Sequence, residues 1–400
     1  MTMIKPAIEG NTAIRQDFLP LCRPSISQQE KSEIISALES GWLSTGPRTK
    51  QFERNMAEYL GAKEVLAISS CTAGLHLALV ASGISTSDEV ITSPLTFIAS
   101  ANTILHARAT PVLADVDPQT YNISISEIEK KITSKTKAII AVHYAGQPCE
   151  MDQIMLLAKK HKLLVIEDAA HAIGTKYKNT LIGGGSERIT VFSFYATKTM
   201  TTGEGGAIAT DMEDTLKKAR VLALHGITND AWKRYSAAGS WFYEVVAPGF
   251  KYNMTDTQAA LGICQLRRLE AFIEKREIIC QKYDKAFSGL KELTTPYVMK
   301  DIRHSRYIYP ILINSEFLKI DRDKFIQALR AENIGTSVHF IPVHLHPYYR
   351  DTFGYKRGAF PIVESIYDRI ISLPLFPDMT DKDTNDVIEA VTRIIAYYRK

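Results

Sequence analysis

The sequence predicts an α/β protein, with a doubly wound, largely parallel sheet followed by a smaller α/β domain. Three observations support this prediction. First, seven short apolar runs recur between residues 65 and 210 without the alternation of a half-exposed strand. Second, amphipathic helical patterns such as TAGLHLALVASG and MDQIMLLAKKHK separate most of these runs, as in a parallel sheet covered on both faces. Third, the 400 residues exceed the length of one typical domain.

Each apolar run is predicted to be one strand of the sheet. The runs are VLAISS (65–70), EVITS (89–93), PVLADV (111–116), AIIAVHY (138–144), LLVIED (163–168), TVFSFY (190–195) and GAIAT (206–210). Residues 226–250 are rich in glycine, tryptophan and tyrosine, and they include Trp232 and Trp241. They predict a long loop, and such loops are uncommon unless they serve a site or an interface.

The pattern changes after Tyr252, where residues 255–290 predict one long helix. Beyond it, RYIYPILI and GTSVHFI predict strands, while DRDKFIQALRAEN and KDTNDVIEAVTRIIAYY predict helices. The chain is therefore expected to divide into four parts. These are an N-terminal arm (1–20), a large domain (21–254), a connecting helix (255–269) and a small C-terminal α/β domain (270–400).

The composition excludes several classes of protein. A chain that is 45% hydrophobic and 23% charged is expected to fold as a globule. No apolar run approaches the roughly 20 residues that span a bilayer, and the N-terminus lacks a secretory apolar region, so no membrane association and a cytoplasmic location are expected. The five cysteines are odd in number and never form a C-x-x-C pair, which argues against a disulfide framework or a thiolate zinc site. The net charge of +4 is too dilute to predict nucleic-acid binding.

Three predicted strands end in side chains that suit ligand binding, which in open α/β sheets occurs beyond the carboxyl ends of the strands. The first exit, SSCTAG (69–74), runs directly into a helix, and small hydroxyl side chains at a helix start predict a phosphate site. An ordinary helix cap is the alternative. The second exit places Glu167 and Asp168 at the end of a buried strand, where acids need a cationic partner. A structural salt bridge is the alternative there.

The third exit, FSFYATK, brings Lys198 out of a strand just before the glycine-rich turn TTGEGG. A surface lysine is the alternative for Lys198 taken alone. Together, however, the three exits supply a phosphate cradle, a carboxylate and an amine, which is the set that pyridoxal phosphate needs. Phe97, just past the second strand, could supply an aromatic face for the ring of this cofactor.

Segments throughout residues 20–395 resemble the DegT/DnrJ/EryC1/StrS family of pyridoxal-phosphate sugar aminotransferases. The resemblance rests on SSCTAGLHLAL, PVLADVD, KTKAIIAVHYAGQP, VIEDAAHAIGT, FSFYATK, TTGEGGAI, FKYNMTDTQAALG and ISLPLFPDMT. It implies the aspartate aminotransferase-like fold (fold type I), with a mixed, mostly parallel seven-stranded sheet. VHYAGQP, APGFKYN, GTSVHF and SLPLFPDMT look closest to the branch that aminates UDP-4-keto-arabinose at C4 with glutamate as donor.

The resemblance also implies roles for individual residues. Lys198 matches the catalytic lysine that forms the internal aldimine and later moves protons, and Asp168 matches the acid paired with the pyridine nitrogen. The remaining matches to cofactor-binding positions are Thr72, Ala73 and Ser193 (phosphate), Phe97 (ring face), His171 (near the ring 3-oxygen) and Asn253 (the phosphate of the neighbouring subunit). The last match implies a homodimer with shared active sites.

Thr45, in the loop GWLSTGP, and His339, at a predicted strand end, are the candidate substrate residues. A metal site formed by His339, His344 and His346 is disfavoured because no acidic partner is obvious. The expected partners are glutamate, 2-oxoglutarate and a nucleotide-linked 4-keto sugar, with pyridoxamine phosphate as the intermediate form of the cofactor. A 3-keto sugar or a keto-cyclitol as acceptor, and a cofactor-binding regulator without turnover, remain as alternatives.

Overall fold

The computed structural model describes residues 5–185, 187–228 and 242–400. Trp232 and Trp241 of the predicted loop lie outside these residues. The two described ends of that loop meet each other, since Ile227 pairs with Val245 and the backbone N–H of Thr228 donates to the carbonyl of Glu244. Within the described residues, no helix has the length and apolar character needed to cross a membrane.

A seven-stranded sheet forms the centre of the larger part of the chain, and every one of its strands falls within a predicted apolar run or overlaps one. Its strands are β1 (Val65–Ile68), β2 (Glu89–Thr92), β3 (Thr110–Leu113), β4 (Thr136–Val142), β5 (Leu164–Asp168), β8 (Ile189–Ser193) and β9 (Gly206–Ala209). Between β5 and β8 lies a short hairpin, β6 (Lys176–Tyr177) and β7 (Thr180–Leu181).

The order of the strands in this sheet is β1-β9-β8-β5-β4-β2-β3. The pairs from β8 to β3 are parallel, whereas β9 runs antiparallel to both β8 and β1. The sheet is therefore mixed and mostly parallel, as predicted. Its carboxyl edge collects the ends of β1, β5 and β8, where the three candidate strand exits lie.

Helices cover both faces of the sheet and lead into the C-terminal part. Their bounds are α1 (Gln28–Glu39), α2 (Pro47–Leu60), α3 (Cys71–Ala81), α4 (Ala99–His106), α5 (Ile125–Lys131), α6 (Met151–His161), α7 (Glu213–Leu222), α8 (Asp256–Phe287), α9 (Arg322–Ala331), α10 (Pro347–Phe353), α11 (Pro361–Tyr367) and α12 (Asp381–Tyr398). Apolar side chains of α3 and α7 join those of the strands on one side, and those of α2 and α8 do so on the other.

The predicted long helix is α8, and it connects two cores. Ile263 and Leu269 in its first half, and Ile273 just past its middle, pack with α2 and the large sheet. Cys280, Tyr283 and Phe287 in its second half pack with the small sheet instead. The N-terminal arm lies against this C-terminal core, because Leu19 pairs with Ile334 and the backbone N–H groups of Ala7 and Ile14 donate to Glu332.

The small sheet has the order β10-β12-β13, formed by β10 (Leu293–Thr294), β12 (Tyr309–Ile313) and β13 (Ile370–Leu373), all antiparallel. The segment β11 (Ile302–Arg303) pairs with β6 instead. RYIYPILI is confirmed as containing a strand, but the strand predicted for GTSVHFI is wrong. Only Ser337 of that segment forms a bridge, to Ser372. The carbonyl of His339 accepts a hydrogen bond from the side chain of Tyr144. In a strand, this carbonyl would instead bond to the backbone of a neighbouring strand.

Candidate active site

The three predicted strand exits meet at one cavity of about 480 Å³. The ends of β1, β5 and β8 form its floor, and residues of the C-terminal part close one wall. Seven of the predicted site residues line it: Thr72, Phe97, Asp168, His171, Ser193, Lys198 and His339. Side chains that lie up to 267 positions apart in the sequence are thus assembled around one space.

The first exit forms the helix cap that was the alternative to a phosphate site, and this cap lies in the wall of the cavity. Ser70 is the N-cap of α3, and its hydroxyl accepts the backbone N–H of Ala73 at 3.1 Å. The hydroxyl-bearing residues Ser70, Thr72 and Ser193 surround this helix start in the cavity wall. A Cβ on Gly206 would lie 2.7 Å from the backbone nitrogen of Cys71, so only glycine lets β9 approach so closely. The positive end of α3 is therefore available to an anion.

The second exit places its two acids in different environments, because successive side chains of a strand point to opposite faces. Asp168 lines the cavity and is 5% exposed. It accepts a hydrogen bond from the Ser100 hydroxyl at 2.6 Å and one from the backbone N–H of Ala170 at 3.2 Å. Within the described chain no cation forms an ion pair with Asp168. A buried carboxylate of this kind favours a protonated ligand nitrogen in the cavity.

Glu167 forms the structural salt bridge instead. Its carboxylate contacts His143 Nε2 at 3.0 Å and Arg188 Nε at 2.6 Å. His143 Nδ1 accepts the backbone N–H of Cys149, so Nε2 carries the proton and donates it to Glu167. Burial alone would raise the pKa of Glu167, but the hydrogen bond from His143, the charge of Arg188 and a hydrogen bond from Thr190 outweigh it and lower the pKa to about 2. These contacts fix the end of β5 on the face of the sheet opposite to Asp168.

Replacing Glu167 should destabilise the fold. Glu167→Gln leaves His143 and Arg188 without a carboxylate, and we expect a loss of about 3–5 kcal/mol in the free energy of unfolding. Because the folded pKa lies below the ordinary 4.5, the stabilisation from Glu167 is present above that pH and is lost as the pH falls towards 2. Urea unfolding of the cofactor-free chain at several pH values measures both effects. Glu129→Gln, which breaks an exposed pair with Lys160, is the control and should leave the midpoint unchanged.

The third exit points Lys198 towards the C-terminal wall of the cavity. The Lys198 Nζ lies 3.4 Å from the hydroxyl oxygen of Tyr307 and 4.5 Å from the centroid of its ring. The Tyr307 hydroxyl also lies 3.3 Å from the hydroxyl of Thr197. Lys198 is half-buried, so the surface-lysine alternative does not describe its position.

Two neutral imidazoles line the same cavity as Lys198. Burial, followed by the charges of Lys198 and His339, lowers the pKa of His171 well below its usual range. Burial, followed by Lys198, lowers the pKa of His339 to about 4. His339 Nδ1 lies 2.8 Å from the Ser372 hydroxyl, whereas the buried Nδ1 of His171 has no hydrogen-bond partner. A ligand oxygen in the cavity could meet that free nitrogen.

Thr45 and Asn253 do not line this cavity. They lie together in a second cavity of about 590 Å³, where the Asn253 side-chain amide donates to the Thr45 hydroxyl at 2.7 Å. Lys251 Nζ donates to the Asn253 side-chain oxygen at 2.6 Å. The second cavity is larger, and its described lining includes Lys50 and Glu53 but no histidine. Thr45 therefore lies apart from the Lys198 cavity within one chain, and its contact with substrate stays a prediction.

The described residues fit pyridoxal phosphate in the first cavity. The start of α3 suits its phosphate, buried Asp168 suits its ring nitrogen, the free His171 nitrogen suits its ring oxygen, and Lys198 suits its aldehyde. Phe97 borders the mouth of the cavity and is 60% exposed, so its ring is accessible. Among the described residues no group of three or more His, Cys, Asp or Glu side chains could hold a metal ion, and His344 pairs with Glu364 at 2.9 Å.

Three residues of the cavity that were not predicted as site residues bear on its chemistry. Tyr307 and Phe340 come from the C-terminal wall, and Cys71 follows the helix cap. Burial and the neighbouring Asp168 raise the pKa of the Cys71 thiol well above its ordinary value, so this thiol is neutral. Cys71 stood within a quoted motif and could have been found there. Tyr307 and Phe340 gave no local signal, because only the fold brings them to the strand exits.

Comparisons with known proteins agree with this geometry. A model of the DegT/DnrJ/EryC1/StrS aminotransferase family matches residues 24–392. An uncharacterized protein of Methanocaldococcus jannaschii, MJ1066, is 54% identical over 96% of this chain and all of its own length. SpsC of Bacillus subtilis, named a spore coat polysaccharide biosynthesis protein, is 51% identical over 95% of this chain and 98% of its own.

Solved structures of a similar protein contain the cofactor. Spr1654 of Streptococcus pneumoniae, described as a candidate sugar aminotransferase, has been solved in forms with pyridoxal phosphate and with pyridoxamine phosphate. The pyridoxal phosphate form superimposes with a TM-score of 0.88 at 31% identity. The match covers 95% of this chain and 99% of that one.

Proposed function

Since the chain belongs to the DegT/DnrJ/EryC1/StrS aminotransferase family, whose cofactor is pyridoxal phosphate, we propose that it transfers the amino group of glutamate to the 4-keto position of a UDP- or dTDP-linked sugar. The observation that carries this proposal is the meeting of Lys198, Asp168 and the start of α3 in one cavity. The name of SpsC supports a polysaccharide as the destination of the amino sugar. A cytoplasmic location belongs to the proposal as well.

Side chains that line the cavity have different roles in the proposed reaction. The bound cofactor supplies an electron sink for the charge that develops when a proton leaves the carbon bearing the amine. Lys198 Nζ is the basic group in the cavity that removes and returns this proton. Asp168, buried and without a cation, holds a proton on the ring nitrogen. His171 and His339 are neutral and add no competing positive charge.

The acceptor is the part of the proposal that a direct assay decides. The enzyme would be incubated with glutamate and a panel of keto acceptors, namely 4-keto and 3-keto nucleotide sugars and a keto-cyclitol, and the products assigned by NMR. Amination of the 4-keto sugar at C4 supports the proposal. Turnover of only the 3-keto sugar or the cyclitol contradicts the 4-keto assignment. Failure of glutamate to convert the cofactor to its amine form at all would point to a regulator without turnover.

A homodimer with shared active sites is also proposed. Ile35 and Leu38 of α1, and Trp42 and Leu43 in the following loop, are large apolar side chains that are 42–53% exposed. Several exposed large apolar side chains in one short stretch of chain support an interaction surface, and two-fold homodimers are the commonest closed assembly. Trp42 also lines the second cavity with Thr45 and Asn253, so the dimer would carry these two residues to the partner's site.

Mixing two inactive variants tests the sharing of the site. Lys198→Ala and Asn253→Ala subunits, co-expressed with different tags, should give heterodimers in which one site contains both changes and the other contains neither. We expect about a quarter of the wild-type activity in the random mixture, because half of the dimers are mixed and half of their sites are intact. Neither variant alone should approach this value. A mixture no more active than its better component would contradict a shared site.

A further inference from the structure

Tyr307 lies in the connection between β11 and β12, and it reaches from the C-terminal part of the chain into the cavity. It is 6% exposed. Its hydroxyl group contacts Lys198 Nζ at 3.4 Å and the Thr197 hydroxyl at 3.3 Å. A tyrosine hydroxyl can accept from the amine and donate to the threonine at the same time. The ring below Nζ attracts the amine when it carries a proton.

The same tyrosine ring supports His171. The two rings are stacked, with centroids 4.3 Å apart and planes 28° apart. Ser305, two residues before Tyr307, donates its hydroxyl to the His171 carbonyl at 2.9 Å. The segment 305–307 therefore holds both the backbone and the ring of His171, whose unpartnered Nδ1 must point in a fixed direction to meet a ligand.

Arg276 on α8 is buried and bonds to the backbone of the segment 305–307. Its side chain is 1% exposed, and Nη1 donates to the carbonyls of Tyr307 at 3.1 Å, Leu375 at 2.8 Å and Arg306 at 3.5 Å. A buried guanidinium bonded to several carbonyls constrains the backbone more tightly than a single neutral bond. Arg306 has a positive φ of 52°, so the backbone turns sharply just before Tyr307. The backbone N–H of Tyr307 donates to Ala145 at 3.1 Å.

We propose that Tyr307 is a positioning residue of the active site. Its hydroxyl holds the free amine of Lys198 at the cavity wall, its ring orients the imidazole of His171, and Arg276 fixes its backbone. The inference rests on the proposed function, because a free lysine amine must return to one place each time it moves a proton. Misplacing a reacting group by 1 Å can slow a reaction by about 10²-fold.

Labelling of Lys198 in the cofactor-free chain tests this role without turnover. Cofactor-free wild type, Tyr307→Phe and Tyr307→Leu would be treated with pyridoxal phosphate and borohydride, and the labelled lysines quantified by mass spectrometry. We expect labelling of Lys198 to be about tenfold slower in Tyr307→Leu, and slower by a smaller factor in Tyr307→Phe, which keeps the ring but loses the hydroxyl contact. The exposed Lys178 serves as an internal control in every sample. Equal labelling of Lys198 in all three proteins would overturn the proposal.

The glutamate half-reaction provides the second readout. In single turnovers, Tyr307→Leu should convert the bound cofactor about 10²-fold more slowly than wild type, and Tyr307→Phe about tenfold more slowly. The exposed Tyr297→Phe should match wild type, and the thermal midpoint of Tyr307→Phe should remain that of wild type. Wild-type rates in Tyr307→Leu would overturn the positioning role. A wild-type enzyme that does not react with glutamate would instead overturn the proposed function, while the labelling result would still decide the role of Tyr307.

Discussion

Lys198→Ala is expected to abolish transamination, with a loss of about 10⁴-fold or more in the rate of the glutamate half-reaction. Lys198 supplies the basic amine of the cavity, and its described neighbours cannot replace it. The pKa values of the His171 and His339 imidazoles are lowered, so they are weaker bases than the amine, and Tyr307 offers only a hydroxyl group. The visible absorbance band of the bound cofactor should also disappear, because the band depends on the bond between cofactor and lysine.

Lys198→Arg tests whether a positive charge at this position is enough for the reaction. Arginine retains the positive charge but cannot give up its proton in a protein, so this variant should be as inactive as Lys198→Ala. Lys178→Ala, which removes an exposed lysine paired with Asp152, is the matched control and should keep the rate of wild type. A Lys198→Ala enzyme that retained the visible band and a measurable half-reaction would show that another group carries the reaction.

Asp168→Asn should give the second-largest effect. The change removes the buried charge that would hold a proton on the ring nitrogen, and we expect the half-reaction to slow by about 10²- to 10⁴-fold. The affinity for pyridoxal phosphate should fall as well. The unfolding midpoint of the cofactor-free chain should stay the same or rise, because the described chain shows no ion pair to Asp168 that the change would break.

Asp115→Asn is the matched control for Asp168→Asn. Asp115 is also 5% exposed, but it accepts the backbone N–H groups of Ile362 and Val363 at the start of α11. Its replacement should lower the unfolding midpoint and leave the half-reaction of the cofactor-loaded enzyme unchanged. These results together would identify Asp168 as a functional carboxylate and Asp115 as a structural one. A sharp loss of stability in cofactor-free Asp168→Asn, with an unchanged half-reaction, would reverse their roles.

The fold and the cavity floor could be predicted because their signals are local in the sequence. Each strand of the large sheet is a short apolar run. The strands β5 and β8 are neighbours, β1 lies one strand beyond β8, and all three end at the same edge of the sheet. Strand position alone does not separate the adjacent acids Glu167 and Asp168, since both end the same buried strand, and only the family resemblance singled out Asp168. Only the positions of His143 and Arg188 show that Glu167 is the paired acid.

The C-terminal wall could not be predicted, because its signals depend on distant contacts. GTSVHFI has the composition of a strand, but His339 bonds to Tyr144 and Ser372 at the cavity and the segment does not pair further. Tyr307 stands in a predicted strand and gave no sign that it reaches Lys198. Thr45 and Asn253 were predicted separately, and only the fold places them in contact.

The central claim is that the chain moves the amino nitrogen of glutamate to a nucleotide-linked keto sugar at the Lys198 cavity. Incubation of the enzyme with ¹⁵N-glutamate and a UDP-linked 4-keto sugar, followed by mass spectrometry and ¹⁵N NMR of the sugar, tests this claim most directly. We predict that the label appears on C4 of the sugar, with one 2-oxoglutarate formed for each amine, and that Lys198→Ala transfers none. Unlabelled sugar, or label transferred equally by Lys198→Ala, would contradict the claim.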